Sequence, residues 1–585
     1  MTTTSSTVQV RVAYRGRRRE PGPLTFGQAN VLSWVSQDSN EWSAVIPVIH
    51  PVDGSVSVER VAEAIGVVIG RHDSLRTNYL RQSGEAIQVV REAGELVVDV
   101  HEDPDGDAQL PAKLARQMSA KPFELTAELP VRAAIITRRG GRDEPQTTIV
   151  MVVTHMAIDV GSGVILTEEL TDLVGGKSPD DLPDPGLQPL DQARVELGPG
   201  GLRRSQNSLR YWRTRLARGP LRLPVPPLAE PGESQQLRIT SPAAALAVTR
   251  IVARTNVGHS SVVLAAVAAV LGRYTGERST LLASLSANRF SSTLRGYVGA
   301  LAQDALIGLD LTAPTFDALV EQARAAQLTA LKHSQFDAKA VWAAMDETFD
   351  RRGVGFTRDW VFNDVAATVE PERQDTEPAP LELVDQARPA TRVTRRPAES
   401  QLPVMLFFQV LRACGELELD VNANGQFFTA DTAEHLLREV EHLLIDAAAG
   451  DTALARPEPP TDRNGQWWQI DGCQVQRTAV NELLGPTGRA FLDGDELVGY
   501  LAEPALTPRS AHLTSLAGLR WRPTAMTPAR YVICATAPDD LDDLAAWRRQ
   551  PVLAEGDGRP GLQEAFANHS SPAPETEARP DDQDQ

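Results

Sequence analysis

We begin from the stretch TTIVMVVTHMAIDVGSGVIL, Thr147 to Leu166, around which the rest of the chain is organised. Its first part, Thr148 to Val153, is a short run of β-branched and long apolar residues, which is typical of a buried strand. Apolar residues then recur at helical spacing from Val164 to Val174. The sequence therefore places two polar side chains, His155 and Asp159, between a buried strand and a helix.

The residues between this strand and this helix admit two interpretations. A histidine just beyond a buried strand is held rigidly, and its unperturbed pKa lies close to neutrality, so His155 is a candidate general base. In the alternative, His155 and Asp159 are structural groups that tie the strand end to the loop. We expect Gly161 and Gly163 to loosen the backbone before the helix begins. The rest of the chain has to decide between the two interpretations.

Composition excludes several classes of partner. The 58 Lys and Arg against 77 Asp and Glu leave a formal charge of −19, which argues against nucleic acid and anionic membranes. The three cysteines are far apart in the chain and match no metal spacing, so we expect reduced thiols and no bound metal. No apolar run reaches the roughly 18 residues of a membrane span, and no signal peptide is recognisable. These features predict a cytoplasmic protein.

Strand and helix patterns mix through the rest of the chain, and they predict an α/β (α+β) fold. A first lobe ends near Val174. The segment Gly175 to Gly201 is rich in Pro, Gly and Asp, so we expect it to cross the surface between two lobes. In the second lobe, Glu370 to Thr391 is expected to be a polar loop, and Thr432 to Ala449 a helix with Asp431 as its N-cap.

Five units follow from these patterns. They are an N-terminal tail and strand (1–22), a first lobe (23–175), a second lobe (202–450), a small C-terminal α/β subdomain (466–556) and a disordered acidic tail (557–585). A proline-rich linker at 457–465 is expected before the subdomain.

Five stretches, in the same order and at similar distances, resemble the condensation domains of nonribosomal peptide synthetases, within the chloramphenicol-acetyltransferase-like superfamily. The second, RHDSLRTNY, is similar to the family motif RHxxLRTxF, and the third, THMAIDV, stands where the family has HHxxxDG. The five stretches are PLTFGQANVLSW (23–34), RHDSLRTNY (71–79), THMAIDV (154–160), SLSANRFSSTLRGYVGALAQDAL (284–306) and ELDVNANGQFFTADTAEHLL (418–437). The resemblance covers about three quarters of the chain, roughly Pro23 to Gly450.

The resemblance implies a fold and a chemistry. The two lobes are expected to form a V-shaped pseudo-dimer with a tunnel between them and His155 near its centre. The family transfers an acyl group from a phosphopantetheine thioester to an amine or a hydroxyl. His155 matches the functionally important second histidine of the motif. Asp159 matches an aspartate that is structural in the family and pairs with an arginine of the second lobe, a place held here by Arg289.

Two residues depart from the family motif. Thr154 replaces the first histidine, which in the family shapes the loop. Val160 replaces the glycine, and because a β-branched residue resists positive φ, we expect it to narrow the space beside His155. Gly161 is a further candidate for the lining of the site. Asn363, in the FND sequence of the second lobe, either lies near the cleft or only ends a strand.

A second resemblance begins at Trp467. The stretches WWQIDGCQVQRTAVNELL (467–484), DELVGYLAEPALTP (495–508) and LRWRPTAMTPARYVICATAPDD (519–540) are similar to the small C-terminal subdomain of adenylate-forming enzymes. The lysine that contacts the adenylate in that family is absent. The resemblance therefore implies a degenerate subdomain kept for packing or docking.

Together these resemblances imply a freestanding acyltransferase of a secondary-metabolite assembly line, with no bound cofactor. Its expected partners are a peptidyl or acyl carrier protein acting in trans, which presents the phosphopantetheine arm, and a small amine or alcohol acceptor. A second possibility is a non-catalytic module that recruits a tailoring enzyme or a carrier protein. A third is a tailoring variant that epimerises or dehydrates a tethered intermediate through the same histidine.

Overall fold

The chain divides into two compact units. A computed structural model describes residues 7–37, 44–52, 56–104, 106–138, 147–369, 378–398, 402–458, 466–519 and 522–559. The first unit consists of Met1–Arg215, Leu228–Trp342 and Arg358–Glu458, and the second of Leu216–Pro227, Ala343–Thr357 and Pro459–Gln585. Two segments from inside the predicted second lobe thus group with the second unit, and the exact domain boundaries stay a prediction. The predicted linker and acidic tail lie largely outside the described residues.

The first lobe, in the first unit, is built on two sheets. Its strands are β1 (Thr7–Arg15), β2 (Pro21–Pro23), β3 (Val45–Val52), β4 (Thr77–Gln82), β5 (Glu85–Val90), β6 (Ala93–Asp103), β7 (Val131–Arg138) and β8 (Thr147–Thr154). Its helices are α1 (Phe26–Gln37), α2 (Val58–Arg71), α3 (Leu110–Ala120) and α4 (Val160–Val174). The larger sheet has the order β1-β6-β7-β8-β3, and the smaller one β2-β5-β4. Every residue of β8 is buried, as predicted.

Local sequence sets the ends of these elements. Ser57 caps α2, because its Oγ accepts a hydrogen bond of 3.2 Å from the Arg60 N–H. Gly161 and Gly163, expected in a loop, lie instead in the first turn of α4. The reason is that Asp159 caps this helix, so the backbone is already helical at the next residue.

The second lobe is a seven-stranded sheet covered by helices. Its strands are β9 (Gln235–Ser241), β10 (Ser279–Ser286), β11 (Gln303–Asp310), β12 (Trp360–Asp364), β13 (Arg392–Pro397), β14 (Leu406–Arg412) and β15 (Leu417–Ala423). The helices from the end of the first lobe onward are α5 (Pro189–Leu197), α6 (Pro199–Leu216), α7 (Pro242–Thr255), α8 (His259–Thr275), α9 (Phe316–Lys332), α10 (Ala338–Arg352), α11 (Ala366–Val369), α12 (Leu381–Ala387) and α13 (Ala430–Ala448). The strand order is β11-β10-β12-β14-β15-β9-β13.

Helix α8 is buried along most of its length, which agrees with its Ala- and Val-rich sequence. It follows α7 after Asn256, whose left-handed backbone (φ 54°) ends the first of the two helices. Within the described part of the chain, no single helix has the length and apolarity that a membrane crossing needs. The bent pair α7 and α8, with 108° between its members, passes that test only when both are counted together.

Three predictions for the connections and caps are wrong. The segment 175–201 contains α5 and the start of α6, because Pro189 and Pro199 are the first residues of helices and not loop residues. Helix α12 lies inside the predicted loop 370–391, of which 370–377 fall outside the described residues. Helix α13 is capped by Thr429, whose Oγ1 accepts from the Thr432 N–H at 3.1 Å, while Asp431 lies in the first turn.

The second unit contains mixed strands and helices. Its remaining strands are β16 (Trp467–Ile470), β17 (Cys473–Gln476), β18 (Gly488–Asp493), β19 (Glu496–Leu501), β20 (Arg530–Cys534) and β21 (Val552–Asp557). Its helices include α14 (Arg477–Leu484), α15 (Pro508–Gly518) and α16 (Leu544–Arg548). Strands β18 to β21 form one sheet in sequence order, packed over the fully buried Trp547. The thiols of Cys473 and Cys534 are buried, and that of Cys414 is exposed.

Helix α5 carries a buried carboxyl group, Glu196. Its Oε2 accepts from the Phe26 N–H at the start of α1 at 2.6 Å, and its Oε1 accepts from Gln192 Nε2 at 2.8 Å. Burial outweighs these hydrogen bonds and raises the pKa of Glu196 to about 7. The carboxyl group therefore ties α5 to the first turn of α1 and is partly protonated near neutral pH.

Glu196→Gln is expected to stabilise the protein above neutral pH. The folded protein holds the Glu196 proton up to a pKa of about 7, whereas an ordinary glutamate releases it near 4.5, so stability falls as pH rises between these values. The glutamine variant has no such loss and should be more stable by up to about 3 kcal/mol at about pH 8. Urea unfolding of both proteins at about pH 5 and about pH 8 measures the difference. The exposed Glu95→Gln is the control, and a pH-independent effect of Glu196→Gln would contradict the interpretation.

Candidate active site

The candidate site begins where β8 ends. The His155 N–H donates to the Ala44 carbonyl at 2.7 Å, which fixes the backbone of the histidine to the chain just before β3. The Thr154 carbonyl accepts from the N–H groups of Ala157 at 2.9 Å and of Ile158 at 3.3 Å. The chain after the strand therefore forms a tight turn, and the histidine stands at its first position.

An apolar cluster lies beneath this turn, and one buried hydroxyl group in it contacts the backbone. The cluster consists of Val31, Ala44, Tyr79, Met156 and Ala300. The Tyr79 Oη donates to the Met156 carbonyl at 2.8 Å. Burial raises the pKa of Tyr79 well above its ordinary value, so the hydroxyl keeps its proton and remains a donor. This contact holds the peptide between Met156 and Ala157 in the histidine turn.

The imidazole of His155 is half-buried, with its Nδ1 atom inside the protein. Burial lowers the pKa of His155 below its usual range, although hydrogen bonding to the backbone and the charge of Asp159 act in the opposite direction. The neutral form of the ring is therefore favoured near pH 7, as a general base requires.

Asp159 is buried, and both of its carboxylate oxygens accept hydrogen bonds. Oδ1 lies 2.9 Å from both the backbone nitrogen and the Oγ atom of Ser162. Oδ2 accepts from Arg289 at 2.7 Å and from the Leu301 N–H at 3.1 Å. The side chain thus caps α4 of the first lobe and binds two donors of the second lobe.

Arg289, a residue of the second lobe, forms an ion pair with this carboxylate. Its side chain is 13% exposed, and it also donates to Ser162 Oγ at 2.9 Å and to the Tyr297 carbonyl at 3.0 Å. Burial by itself would raise the pKa of Asp159, but Arg289 and the N–H groups of Ser162 and Leu301 bring it below its usual value. Asp159 is therefore ionised, and the ion pair links the two lobes next to the histidine turn.

The other predicted site residues lie in different surroundings. Thr154 is 5% exposed at the end of β8, and its Oγ1 accepts from the Met156 N–H at 3.4 Å. Val160 is the first residue of α4 and is 37% exposed. Its backbone is helical, so the position does not require a positive φ, and the expected narrowing of the space beside His155 stays a prediction. Asn363 lies in β12, paired with Gln409 of β14, and the structure thus places it in the second sheet.

Gly161 is needed for the ion pair. A Cβ atom at this position would lie 2.9 Å from Cζ of Arg289, so the guanidinium packs directly on the glycine backbone. At Gly163, two residues further along α4, a Cβ atom would make only an ordinary contact of 3.7 Å with Val48.

Gly161→Ala and Gly163→Ala are expected to have opposite effects. Alanine stabilises a helix by about 0.5–1 kcal/mol relative to glycine, and Gly163→Ala should show this gain. Gly161→Ala should instead cost about 1–3 kcal/mol, because the added methyl group displaces the Arg289 guanidinium. Thermal unfolding of the two variants beside the unchanged protein provides the measurement. Equal effects of the two substitutions would show that the guanidinium is not held against Gly161.

Sequence reasoning missed three groups of this site. Ser162 had a usable signal, because Asp159 and Ser162 stand three residues apart before a helical pattern, as in a capping box. Tyr79 ends the RHDSLRTNY stretch, but nothing local shows that its hydroxyl reaches Met156. The N–H of Leu301 acts through a tertiary contact and has no local signal. Within the described ranges, no group of three or more His, Cys, Asp or Glu side chains could hold a metal ion.

Comparisons with known proteins agree on one family. The family model described as Condensation domain matches residues 20–458 of this chain. Surfactin synthase subunit 2 of Bacillus subtilis (strain 168) is 24% identical over 361 residues, which are 60% of this chain and 10% of that protein. The chain thus spans about a tenth of the length of this curated relative.

Solved structures show the same fold. The first condensation domain of the CDA synthetase has a TM-score of 0.57 and 18% identity, over 74% of this chain and 99% of that chain. The X-domain from teicoplanin biosynthesis has a TM-score of 0.55 and 19% identity, over 74% of this chain and 97% of that one. These likenesses confirm the predicted fold class. The adenylation-like resemblance of 466–556 lies beyond the residues that the family model matches and stays a prediction.

Proposed function

Because the chain belongs to the condensation-domain family of nonribosomal peptide synthetases, we propose that it transfers an acyl group from a carrier-bound thioester to an amine or a hydroxyl. The proposed donor is the phosphopantetheine arm of a peptidyl or acyl carrier protein acting in trans. The proposed acceptor is a small amine or alcohol, free or carrier-bound, in cytoplasmic secondary metabolism. No resident cofactor is part of the proposal.

The observation that carries this proposal is the placement of His155. Its ring has a buried Nδ1 edge and a pKa lowered by burial, and it stands on a turn that the Asp159–Arg289 pair holds from the second lobe. A neutral imidazole in a fixed position can orient an attacking amine or hydroxyl and accept its proton. This combination of groups supports acyl transfer better than a purely structural role for the histidine.

The proposed reaction is a transfer of an acyl group that needs neither an oxidant nor a reductant. The acceptor nitrogen or oxygen attacks the thioester carbonyl, and His155 takes the proton that the acceptor loses. The new C–N or C–O bond forms as the C–S bond breaks. The phosphopantetheine sulfur leaves and receives the proton, so the products are an amide or an ester and a free thiol.

Two departures from the family motif favour a second candidate function. Thr154 stands in place of the first histidine, and Val160 in place of the glycine. A condensation-like fold that only recruits a carrier protein or a tailoring enzyme needs neither of these two motif residues. One solved neighbour is the complex of the teicoplanin X-domain with OxyB, which shows a fold of this kind bound to another protein. A tailoring variant would use His155 but would leave the acyl group on its carrier.

Assays with loaded donors distinguish these functions. The full chain is incubated with a carrier protein bearing an aminoacyl phosphopantetheine, or with acyl-coenzyme A, and with a panel of amines and alcohols. Acyl transfer predicts equal amounts of new amide or ester and of free thiol, both above the level that His155→Ala produces. Carrier binding with neither product would support the recruiting module. An epimerised or dehydrated acyl group still on the carrier would support the tailoring variant.

A further inference from the structure

The residue before Arg289 has an unusual backbone for its position. Asn288 has a φ of 53°, in the left-handed region, and its side chain is 2% exposed. Residues other than glycine are uncommon in this region, and asparagine is among the few that adopt it readily. The residue follows the end of β10, so this turn sets the direction in which the chain continues into Arg289.

The side-chain amide of Asn288 uses its full hydrogen-bonding capacity. Nδ2 donates to the Leu301 carbonyl at 2.9 Å and to the Ser334 carbonyl at 3.1 Å. Oδ1 accepts from Ser286 Oγ at 3.0 Å and from Ser334 Oγ at 2.7 Å. An amide has two N–H donors and two main acceptor positions, so every one of them is satisfied inside the protein. Such a network fixes both the side chain and the segments that it joins.

Two segments that Asn288 helps to fix supply the donors to one atom of the site, Oδ2 of Asp159. Its two donors are Arg289, the residue next to Asn288, and the N–H of Leu301, whose carbonyl Asn288 holds. A single residue therefore controls one donor through the backbone and the other through its amide. The Leu301 segment and the end of β10 are connected to each other at this point in the second lobe.

We propose that Asn288 is a positioning residue that aligns both second-lobe donors on Asp159 and thereby holds the turn that carries His155. The expected effect on catalysis rests on the proposed function. The alignment of the two donors on Asp159 does not depend on it. In this arrangement the left-handed backbone directs Arg289, and the amide keeps Leu301 at hydrogen-bonding distance. Loss of the amide leaves the guanidinium tethered but allows the Leu301 segment to move away from the carboxylate.

The test is Asn288→Gly, with Asn256→Gly as its matched control. Glycine accepts the left-handed backbone without strain, so the first variant removes the four hydrogen bonds and leaves the turn intact. Asn256 has nearly the same φ, 54°, but ends helix α7 away from the network. The two variants therefore share the chemical change and the backbone conformation, and only Asn288→Gly removes the amide network beside Asp159.

Two readouts are measured on the whole 585-residue chain. The kcat of acyl transfer should fall by about tenfold to a hundredfold in Asn288→Gly while KM changes little, because small misplacements of a catalytic group have this effect. The ring of His155, labelled with ¹³C at Cε1 and identified by its absence in His155→Ala, should change its chemical shift. Its titration midpoint should rise by about half a pH unit or more as the turn loosens and solvent reaches the ring. Asn256→Gly should leave both readouts unchanged.

The outcomes distinguish a failure of the proposed acyl transfer from a failure of the positioning role of Asn288. If no acyl transfer is found for the unchanged protein, the proposed function fails, and the His155 resonance still decides the role of Asn288. A folded Asn288→Gly with an unchanged kcat and an unchanged His155 titration overturns the positioning role. If Asn288→Gly does not fold, Asn288→Asp, which keeps the acceptor atom and loses both amide donors, is judged by the same two readouts.

Discussion

Replacing His155 with alanine is expected to lower the kcat of acyl transfer by about 10²–10⁴-fold, with a much smaller change in KM. The imidazole contributes to the step in which the acceptor loses its proton, and its removal leaves the binding surfaces in place. Alanine also preserves the 2.7 Å hydrogen bond from the backbone N–H to the Ala44 carbonyl, so the turn should keep its shape. The initial rates of thiol release and of product formation measure the effect.

The control for this prediction is His435→Ala. His435 is exposed on α13 of the second lobe, so its loss removes a histidine without touching the turn after β8. The kcat of this variant should equal that of the unchanged protein. A His155→Ala variant that keeps full activity would contradict the catalytic role and leave His155 with a structural one.

The pH profile gives an independent check on the same residue. A general base acts only in its neutral form, so the rate should rise with pH through the pKa of His155 and then level off. Because burial lowers the pKa of His155, the midpoint should lie below that of an exposed histidine. A midpoint above the ordinary histidine value would mean that another group limits the rate.

Arg289→Met is expected to destabilise the first unit by about 3–5 kcal/mol near neutral pH, the usual cost of leaving a buried charge without its partner. Asp159 is 4% exposed on its side chain and pairs with Arg289 at 2.7 Å. Methionine fills similar space but supplies no donor, so the carboxylate keeps only its hydrogen bonds to Ser162 and Leu301. Urea unfolding, followed by a probe in the first unit, measures the change.

The pH dependence of this destabilisation has a definite sign. The pKa of Asp159 lies below its ordinary value in the folded protein, so the ion pair stabilises the fold above the pKa of an unfolded aspartate. This contribution is lost as pH falls through the folded pKa, because a protonated carboxyl group needs no cation. The difference between the unchanged protein and Arg289→Met should therefore be largest at neutral pH and shrink in acid.

A matched control comes from a more exposed ion pair. Arg254 binds both oxygens of Asp317 at 2.7 Å, but the two side chains are 29% and 21% exposed. Arg254→Met should cost no more than about 1 kcal/mol, as is usual for ion pairs in contact with solvent. Equal costs for Arg254→Met and Arg289→Met would show that burial does not strengthen the pair between the lobes.

Elements that depend on local periodicity could be predicted from the amino-acid sequence. The buried strand before His155, the helix after it and the Ser57 cap of α2 all follow from residues within a few positions of one another. The order of the five family-like stretches identified the fold as a whole. The pairing of Asp159 with Arg289 came from the resemblance alone, since 130 residues separate the two side chains.

Local sequence patterns could not predict the structure where one residue type is common in two kinds of structure. Pro189 and Pro199 were interpreted as loop residues, but a proline also fits the first turn of a helix, where its missing N–H costs nothing. Gly161 was interpreted as a source of flexibility, whereas it provides the space for the Arg289 guanidinium. In both cases a neighbour in space, and not in sequence, selects between the two uses.

The groups that hold the histidine turn became visible only in the folded protein. The Leu301 N–H reaches Asp159 across 142 residues, and the Tyr79 hydroxyl reaches the Met156 carbonyl across 77. The amide of Asn288 joins segments that are 13 and 46 residues away from it. Strand and helix formation depends on residues a few positions apart, so the sequence encodes it locally. The geometry of a buried hydrogen-bond network is fixed only when the lobes pack, because each donor must be brought to its acceptor from a distant part of the chain.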